Sequence, residues 1–512
     1  MSGDAGSHID VARRATLRTL VAALALGACV LVVARAPASA APARRATTSA
    51  DLLTGRVAAV RQVTPASATQ WVRYHAETDG AGVATESLDL SKPSPAWHSP
   101  RLDGAVYGEP LEATGRVVVA TENDTVYALA ADSGAVLWST HVGTPVPSGD
   151  LPCGNIAPSV GITGTPVIDL ARSEVFAVAD ELVGGTPAHH LVGIDLYTGK
   201  VLLNRVVDPP GAEAAAILQR TGLDLDGGRV VFGFGGNYGD CGPYHGWVVS
   251  VPADGDGPTL RYDTVTLPGD HQGAVWMGGA APEVAQHGDI WVATGNGAAT
   301  SGTFDDSDSV VELSPSLHRI AIFAPGDWGA DNADDRDLGS TAPALLSDGD
   351  VVQVGKSYTA YLLRASKLGG VGGQISSTPV CDGTDADGGD AVDGDVVYVA
   401  CQAGLEALDA GTAKLTVRWD AARTVGSNAD PDKPPIVAGG LVWSIGGDTL
   451  FGIAPASGRA VVRLDVGSND NDFPTPSVAD GLLLVTGGTG GDEVLAFAGG
   501  AGLPVRPAPA PR

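Results

Sequence analysis

Positive charge is scarce in this chain of 512 residues: 31 Lys and Arg stand against 59 Asp and Glu, a formal net charge of −28. Such a surface repels nucleic acid and anionic membrane, which excludes both as partners. No C-x-x-C-H run occurs, so covalently attached haem is excluded, and the five cysteines show no zinc-ligand spacing. No G-x-S-x-G elbow supports Ser/His/Asp catalysis. The N-terminal apolar stretch Leu20 to Ala34, 15 residues, falls short of the roughly 20 residues a transmembrane helix needs.

What is abundant is glycine, 70 residues, and proline, 34, within a chain that is 44% hydrophobic and only 18% charged. That balance fits many short strands joined by tight turns. Arg13, Arg14 and Arg18 precede the apolar stretch, and Ala38-Ser39-Ala40 follows it, the layout of an export signal cleaved near Ala40. The Arg13-Arg14 pair fits twin-arginine export or the ordinary basic residues of a general signal. Leu26-Gly27-Ala28-Cys29 has the look of a lipidation box, although the apolar run continues past Cys29. The expected organisation is residues 1–40 signal, 41–68 disordered linker, 69–500 folded domain and 501–512 Pro/Ala-rich tail. With no membrane domain after cleavage, the product is exported to the cell envelope or beyond. The four cysteines that remain there form two disulfides with three possible connectivities: Cys381 with Cys401 would close a local loop, and Cys153 with Cys241 would tie repeats together.

The dominant signal is a degenerate repeat, V-Y-A-L-x-x-x-x-G-x-x-x-W, with copies near Val126, Leu191, Trp247, Val310, Tyr361, Leu405, Leu450 and Val494. Each unit reads as four strands. In the first, 109–112 is innermost, then 116–121 and 126–129, with 135–138 outermost, separated by turns such as Asp132-Ser133-Gly134. The last copy, 475–498, lacks its outer strand, while Val83 to Trp97 supplies a strand-like segment ending in Ala96-Trp97. The fold class is therefore all-β: an eight-bladed β-propeller with four-stranded blades, its ring closed by the N-terminal strand pairing into the last blade.

These repeats resemble those of the quinoprotein alcohol dehydrogenases and their relatives with pyrroloquinoline-quinone-type repeats, over roughly residues 70 to 500. The repeat is specific for the fold and weak for the cofactor, because binding-only propellers share it. Site motifs match in the family's order. Asn296, in Ala293-Thr294-Gly295-Asn296-Gly297, is similar to the Asn that binds Ca²⁺, and Asp337, in Asp335-Arg336-Asp337-Leu338, is similar to the catalytic base. Lys356 looks like the cation on the quinone carbonyls, Trp276 like the indole beneath the cofactor, and Arg220 and Thr221 like further cofactor contacts. Asn237, in Gly235-Gly236-Asn237-Tyr238-Gly239, stands where the family places a Ca²⁺-binding Glu, which lowers the charge at the metal. The adjacent-cysteine disulfide of many such enzymes is missing.

A geometric expectation stands beside the resemblance. In a propeller, the loops from outer strand to next inner strand and the turns from second to third strand open on one face, so Asp337, Trp276, Arg220 and Thr221 can converge with Asn237, Asn296 and Lys356. Each residue also has a structural role open to it: Asn296 as a turn residue, Asp337 as a loop cap, Trp276 as channel packing and Lys356 in a pair with a loop carboxylate. His245 and His271 read as loop histidines and Asp240 as surface.

Two functions stay open. One is a dehydrogenase using pyrroloquinoline quinone and Ca²⁺ to oxidise an alcohol or sugar hydroxyl on a small-molecule substrate, passing electrons to a separate acceptor. The other is a non-enzymatic propeller scaffold that binds a protein or glycan as a cell-surface partner. A hydrolase or lyase on a propeller is the remaining class.

Overall fold

The computed structural model describes residues 70–86, 88–421, 431–469 and 471–500. The expected signal (1–40) with Cys29, the linker (41–68) and the tail (501–512) lie outside the described residues. Eight antiparallel sheets follow one another, as the repeat count predicts. Blade 1 takes strands Leu111–Ala113, Arg116–Thr121, Thr125–Ala130 and Val136–His141, so its inner strand begins two residues later than read from sequence and its third and outer strands run on further. Blade 8 takes Ser477–Ala479, Leu482–Gly487 and Glu493–Ala498, and its fourth strand is Ser94–His98 from the N-terminal side. The pairing Trp97 to Ala496 thus closes the ring. Blade 3 carries an extra short strand, Ile217–Leu218, and blade 4 takes Gly370–Val371 in parallel along its outer edge.

Burial follows strand position. Second strands are buried on both faces, as in Arg116–Thr121, because neighbouring blades stack on them, whereas outer strands such as Val201–Val206 are at most half-buried, on one face. The apolar cores sit between blades: Trp97, Val117, Leu129, Leu484 and Val494 fill the space between blades 8 and 1. In six blades the third-to-outer pairing slips by one residue at the same place, between Ala128 and Leu129 in blade 1, between Gly452 and Ile453 in blade 7 and between Ala496 and Phe497 in blade 8. A bulge there adds twist to the blade's rim.

The Gly and Trp of the repeat explain one another. Trp138 of blade 1 donates its indole N–H to the Leu196 carbonyl of blade 2 at 3.0 Å, Trp97 of blade 8 to Ala131 of blade 1 at 2.8 Å, and Trp419 of blade 6 to Pro455 of blade 7 at 2.7 Å. The receiving turn holds the repeat's glycine. At Gly199, φ is +70° and a Cβ would stand 2.8 Å from the Trp138 ring. The glycine therefore serves both the left-handed turn and the seat of the neighbour's indole.

Residues 70–84 lie outside the blades. Of the segment Val83 to Trp97, only its end forms a strand, and the stretch before it follows the inner strands around the ring. Trp71 pairs with Glu112 of blade 1, and the carbonyls of Val72, Thr78, Ala81 and Gly82 accept from Ile168, Val284, Val392 and Val437 of blades 2, 4, 6 and 7. Arg73 forms an ion pair with Asp224 of blade 3. A chain segment that satisfies itself on the inner strands of six blades acts as a plug. Its signal in the sequence is weak because its backbone pairs with partners far apart along the chain.

The four described cysteines form Cys153–Cys241 and Cys381–Cys401, one of the three connectivities. The first ties the loop between blades 1 and 2 to a turn of blade 3. No helix among the described residues is long and apolar enough to cross a membrane, and the single α-helix among them is Trp328–Asp334.

Candidate functional site

The face bearing the second-to-third-strand turns and the loops between blades gathers four of the predicted residues. Asp337 sits in the loop from blade 4 to blade 5, just after the helix Trp328–Asp334, whose last turn is closed by Asp335 in the left-handed region at φ +58°. Asp and Asn tolerate that conformation best after Gly, and the reversal turns the chain back toward the channel. Asp337 then accepts the Asn296 backbone N–H on Oδ1 at 2.7 Å and the Lys356 ammonium on Oδ2 at 2.6 Å. Lys356 Nζ stands 5.0 Å from the Trp276 ring centroid, within cation–π range. Two glycines permit this: a Cβ on Gly295 would meet Asp337 Oδ1 at 2.4 Å, and one on Gly355 would meet the Asp337 carbonyl at 2.5 Å.

Asn296 is 7% exposed; its Nδ2 donates to Asp335 Oδ1 at 2.8 Å, while its Oδ1 is buried with no hydrogen-bond partner among the described residues. Burial works against the charge of Lys356, but Asp337 at contact and Asp387 and Asp335 behind it outweigh that and hold the ammonium well above the usual lysine range.

The other three predicted residues are placed differently. Arg220 joins through aromatics: its guanidinium lies 5.5 Å from the Phe473 ring and 5.7 Å from Tyr107, it donates to the Asp472 carbonyl at 2.8 Å, and Phe473 is 6.0 Å from Trp276. Thr221 is fully buried, with its hydroxyl between Gln219 and the Gly233 N–H, 2.8 Å away. Asn237 is also buried and donates to the Ala215 carbonyl at 2.9 Å; no hydrogen bond among the described residues joins it to Asn296 or Asp337. His245 pairs with Asp263 at 3.0 Å.

The site also contains residues that sequence reading passed over. Asp240, read as surface, is indeed exposed; it accepts the Tyr244 hydroxyl, and desolvation together with Asp337 and Asp335 raises its carboxyl above the usual range. Burial pushes Asp387 up to about 6, against the pull of Lys356 and with the help of Asp385. Phe473 and Tyr107 come from loops in blades 7 to 8 and 8 to 1. The acidic loops were visible in the sequence; that Asp385 and Asp387 lie near the Lys356 ammonium was not.

The loop from blade 1 to blade 2 reaches over this face, held by Cys153–Cys241 and by Asn155, which donates to Asp472 at 2.8 Å. With an aromatic floor, two cations and a carboxylate bridged between a backbone N–H and an ammonium, the arrangement can receive a planar anion and take up a proton.

Comparison with known proteins agrees with this architecture. A PQQ-repeat family model, described as outer membrane protein assembly factor BamB, matches residues 68–241. Among solved structures, a quinohemoprotein alcohol dehydrogenase from Pseudomonas putida HK5 is 14% identical with a TM-score of 0.64, covering 87% of this chain and 82% of its own. A europium-containing methanol dehydrogenase is 13% identical at a TM-score of 0.63, over 84% and 98%. BamB from Moraxella catarrhalis is 14% identical at a TM-score of 0.53, over 79% and 99%. No curated protein matches the sequence. The chain is thus an eight-bladed β-propeller that matches a PQQ-repeat family model over residues 68–241 and has the fold of the quinoprotein alcohol dehydrogenases.

Proposed function

We propose that this protein is an exported quinone-dependent dehydrogenase that oxidises an alcohol or sugar hydroxyl. The observation that carries the reading is the Asn296–Asp337–Lys356–Trp276 constellation: one carboxylate held by a backbone N–H at 2.7 Å and by an ammonium at 2.6 Å, with that ammonium on an indole face.

The residues fit the cofactors that the resemblance implies. The orphaned Asn296 Oδ1 beside the Asp337 carboxylate is oxygen-donor chemistry of the kind Ca²⁺ takes, with Asn237 as a further candidate. Trp276, Lys356 and Arg220 suit a planar polyanionic quinone, and Thr221 acts behind them by holding the blade 3 backbone. Pyrroloquinoline quinone, when bound, supplies the two-electron acceptor, and a separate partner protein or dye takes the electrons onward. Asp337 accepts the proton of the substrate hydroxyl, Lys356 keeps the carboxylate oriented and places positive charge beside the cofactor's edge, and Trp276 sets the floor.

A second reading, a scaffold binding a protein at the cell envelope, is favoured by the family model over residues 68–241 and by the BamB likeness. Titrating the purified protein with pyrroloquinoline quinone, with and without Ca²⁺, separates the two. Saturable Ca²⁺-dependent binding that disappears in Lys356→Ala supports the dehydrogenase; no binding at millimolar Ca²⁺ leaves the scaffold. In the first case Asp337→Asn abolishes alcohol oxidation while the fold persists.

A further inference from the structure

Each blade ends in an outer strand whose free N–H and C=O groups are a template for pairing with another chain, unless charge, proline or a covering segment blunts the edge. Most of the edges are blunted. Proline stands in the outer strands of blades 5 and 8, at Pro379 and Pro95. Blade 3 carries Arg261 with Asp263, blade 6 Arg418 with Asp420, and blade 7 Arg459 and Arg463 with Asp465. Gly370–Val371 covers the edge of blade 4.

Blades 1 and 2 differ. The outer strand of blade 1, Val136–His141, has no proline, carboxylate or guanidinium, and His141 Nδ1 is taken up by the Thr125 hydroxyl at 3.1 Å. In Val201–Val206 of blade 2 the one charge, Arg205, is turned toward blade 3, where it donates to the carbonyls of Gly255 at 3.1 Å and Gly257 at 3.0 Å. What stays outward is apolar: Val201, Leu202 at 48% exposure and Val206 at 55%, with Tyr197 in the turn before them and Val136 and Leu137 on the neighbouring rim. The outer strands of the other six blades expose at most one large apolar side chain each among the described residues.

Charge decides what can settle on this edge. The chain has a net charge of −28, so two copies repel over most of their surface. Residues 133–149 and 196–207, however, hold no Asp or Glu. An apolar strip free of carboxylates is matched by the same strip on a second copy, because the exposed apolar side chains elsewhere on the rim are scattered singly. An antiparallel edge needs only its own sequence turned about a two-fold axis to complete its hydrogen bonds.

We propose that two copies of this protein join edge to edge through Val201–Val206, antiparallel, so that their four-stranded blade 2 sheets become one sheet of eight strands. Strand alternation puts Leu202 and Val206 on the face opposite Leu203 and Arg205, which stay on blade 3. The two-fold axis stands normal to the joined sheet, so Leu202 and Val206 of both copies pack on one side of the seam, the side of the blade 1 rims. The contact is independent of the dehydrogenase reading, whose site opens on the ring's face and not on its rim.

The test is sedimentation equilibrium of the purified protein from about 1 to about 100 μM, at low and at raised salt. A monomer–dimer equilibrium is expected that tightens with salt, since screening relieves the repulsion of two acidic chains and leaves the apolar contact intact. Leu202→Asp/Val206→Asp weakens association at least about tenfold, whereas Val461→Asp, 53% exposed on the edge of blade 7, leaves it unchanged. Both variants melt close to the parent at high dilution, which separates loss of the contact from loss of the fold. Amide hydrogen exchange over 201–206 slows in the concentrated protein, and exchange over 459–465 does not. A monomer at about 100 μM, association that weakens with salt, an equal loss in Val461→Asp, or a dimer whose 201–206 amides exchange as in the monomer overturns the proposal.

Discussion

Lys356 meets Asp337 twice: its ammonium donates to Oδ2 at 2.6 Å and its backbone N–H to the Asp337 carbonyl at 2.9 Å. The main-chain bond locks the turn of blade 5 to the loop from blade 4, so the side-chain pair is held in register by backbone. Lys356→Ala removes the ammonium and keeps the main-chain bond. The expected result is a stability loss of about 1–3 kcal/mol, because a mostly buried carboxylate is left with fewer partners. Asp337→Asn in the Lys356→Ala background recovers part of it. Urea unfolding of the parent and the two variants checks this, and equal stability of all three would show that the pair contributes nothing.

Arg73 is the plug's ionic anchor. Burial pushes its partner Asp224 up to about 7, even with the guanidinium pulling the other way. Arg73→Met leaves that carboxyl buried without a cation and is expected to cost about 3–5 kcal/mol at pH 8. At pH 5 the loss is smaller, since Asp224 is then protonated. Thermal unfolding at the two pH values tests this, and Arg73→Met/Asp224→Asn should be insensitive to pH at this site.

Where blades 1 and 2 meet, Glu122, Asp124 and Asp180 are buried together. Burial, reinforced by the neighbouring Glu181 and Asp180, pushes Asp124 up to about 9; burial likewise takes Glu122 to about 7 and Asp180 to about 6. A carboxyl raised in the folded state binds its proton more tightly there than in the unfolded chain, so its stabilisation is complete below about pH 4 and drains away as pH climbs through the folded value. Stability from this cluster should therefore fall between pH 4 and pH 9. Asp124→Asn is expected to be more stable than the parent at pH 8 and to flatten the upper part of the profile. A parent melting temperature that rises from pH 6 to pH 9, unchanged by Asp124→Asn, would refute it.

Gly199 receives the Trp138 indole. Gly199→Ala adds a methyl that would stand 2.8 Å from that ring, on a backbone at φ +70°, and should cost about 1–3 kcal/mol. Trp138→Phe, which loses the 3.0 Å bond to Leu196, costs about 1 kcal/mol for that bond and leaves more room for the alanine. The double variant is therefore expected to be less destabilised than the sum of the singles, a coupling that a double-mutant cycle measures.

Repeat spacing, turn glycines and tryptophans determined the eight-bladed ring and its N-terminal closure from sequence alone, because blade identity is local: each copy carries its own strands and the indole that docks on the next. That Asn296, Asp337 and Lys356 lie on one face was expected from the turns the repeat dictates, but which atoms meet there was not legible in the sequence. Other features depended on tertiary structure. Residues 70–84 have no strand periodicity, as their partners are inner strands of six blades. Arg220 and Trp276 are linked by Phe473, more than 190 residues further along the chain. Asp385 and Asp387 look like ordinary solvated loop acids until the ring brings their loop near the Lys356 ammonium. Charge and hydrogen-bond balance are sums over neighbours in space, and only the closed ring supplies those neighbours.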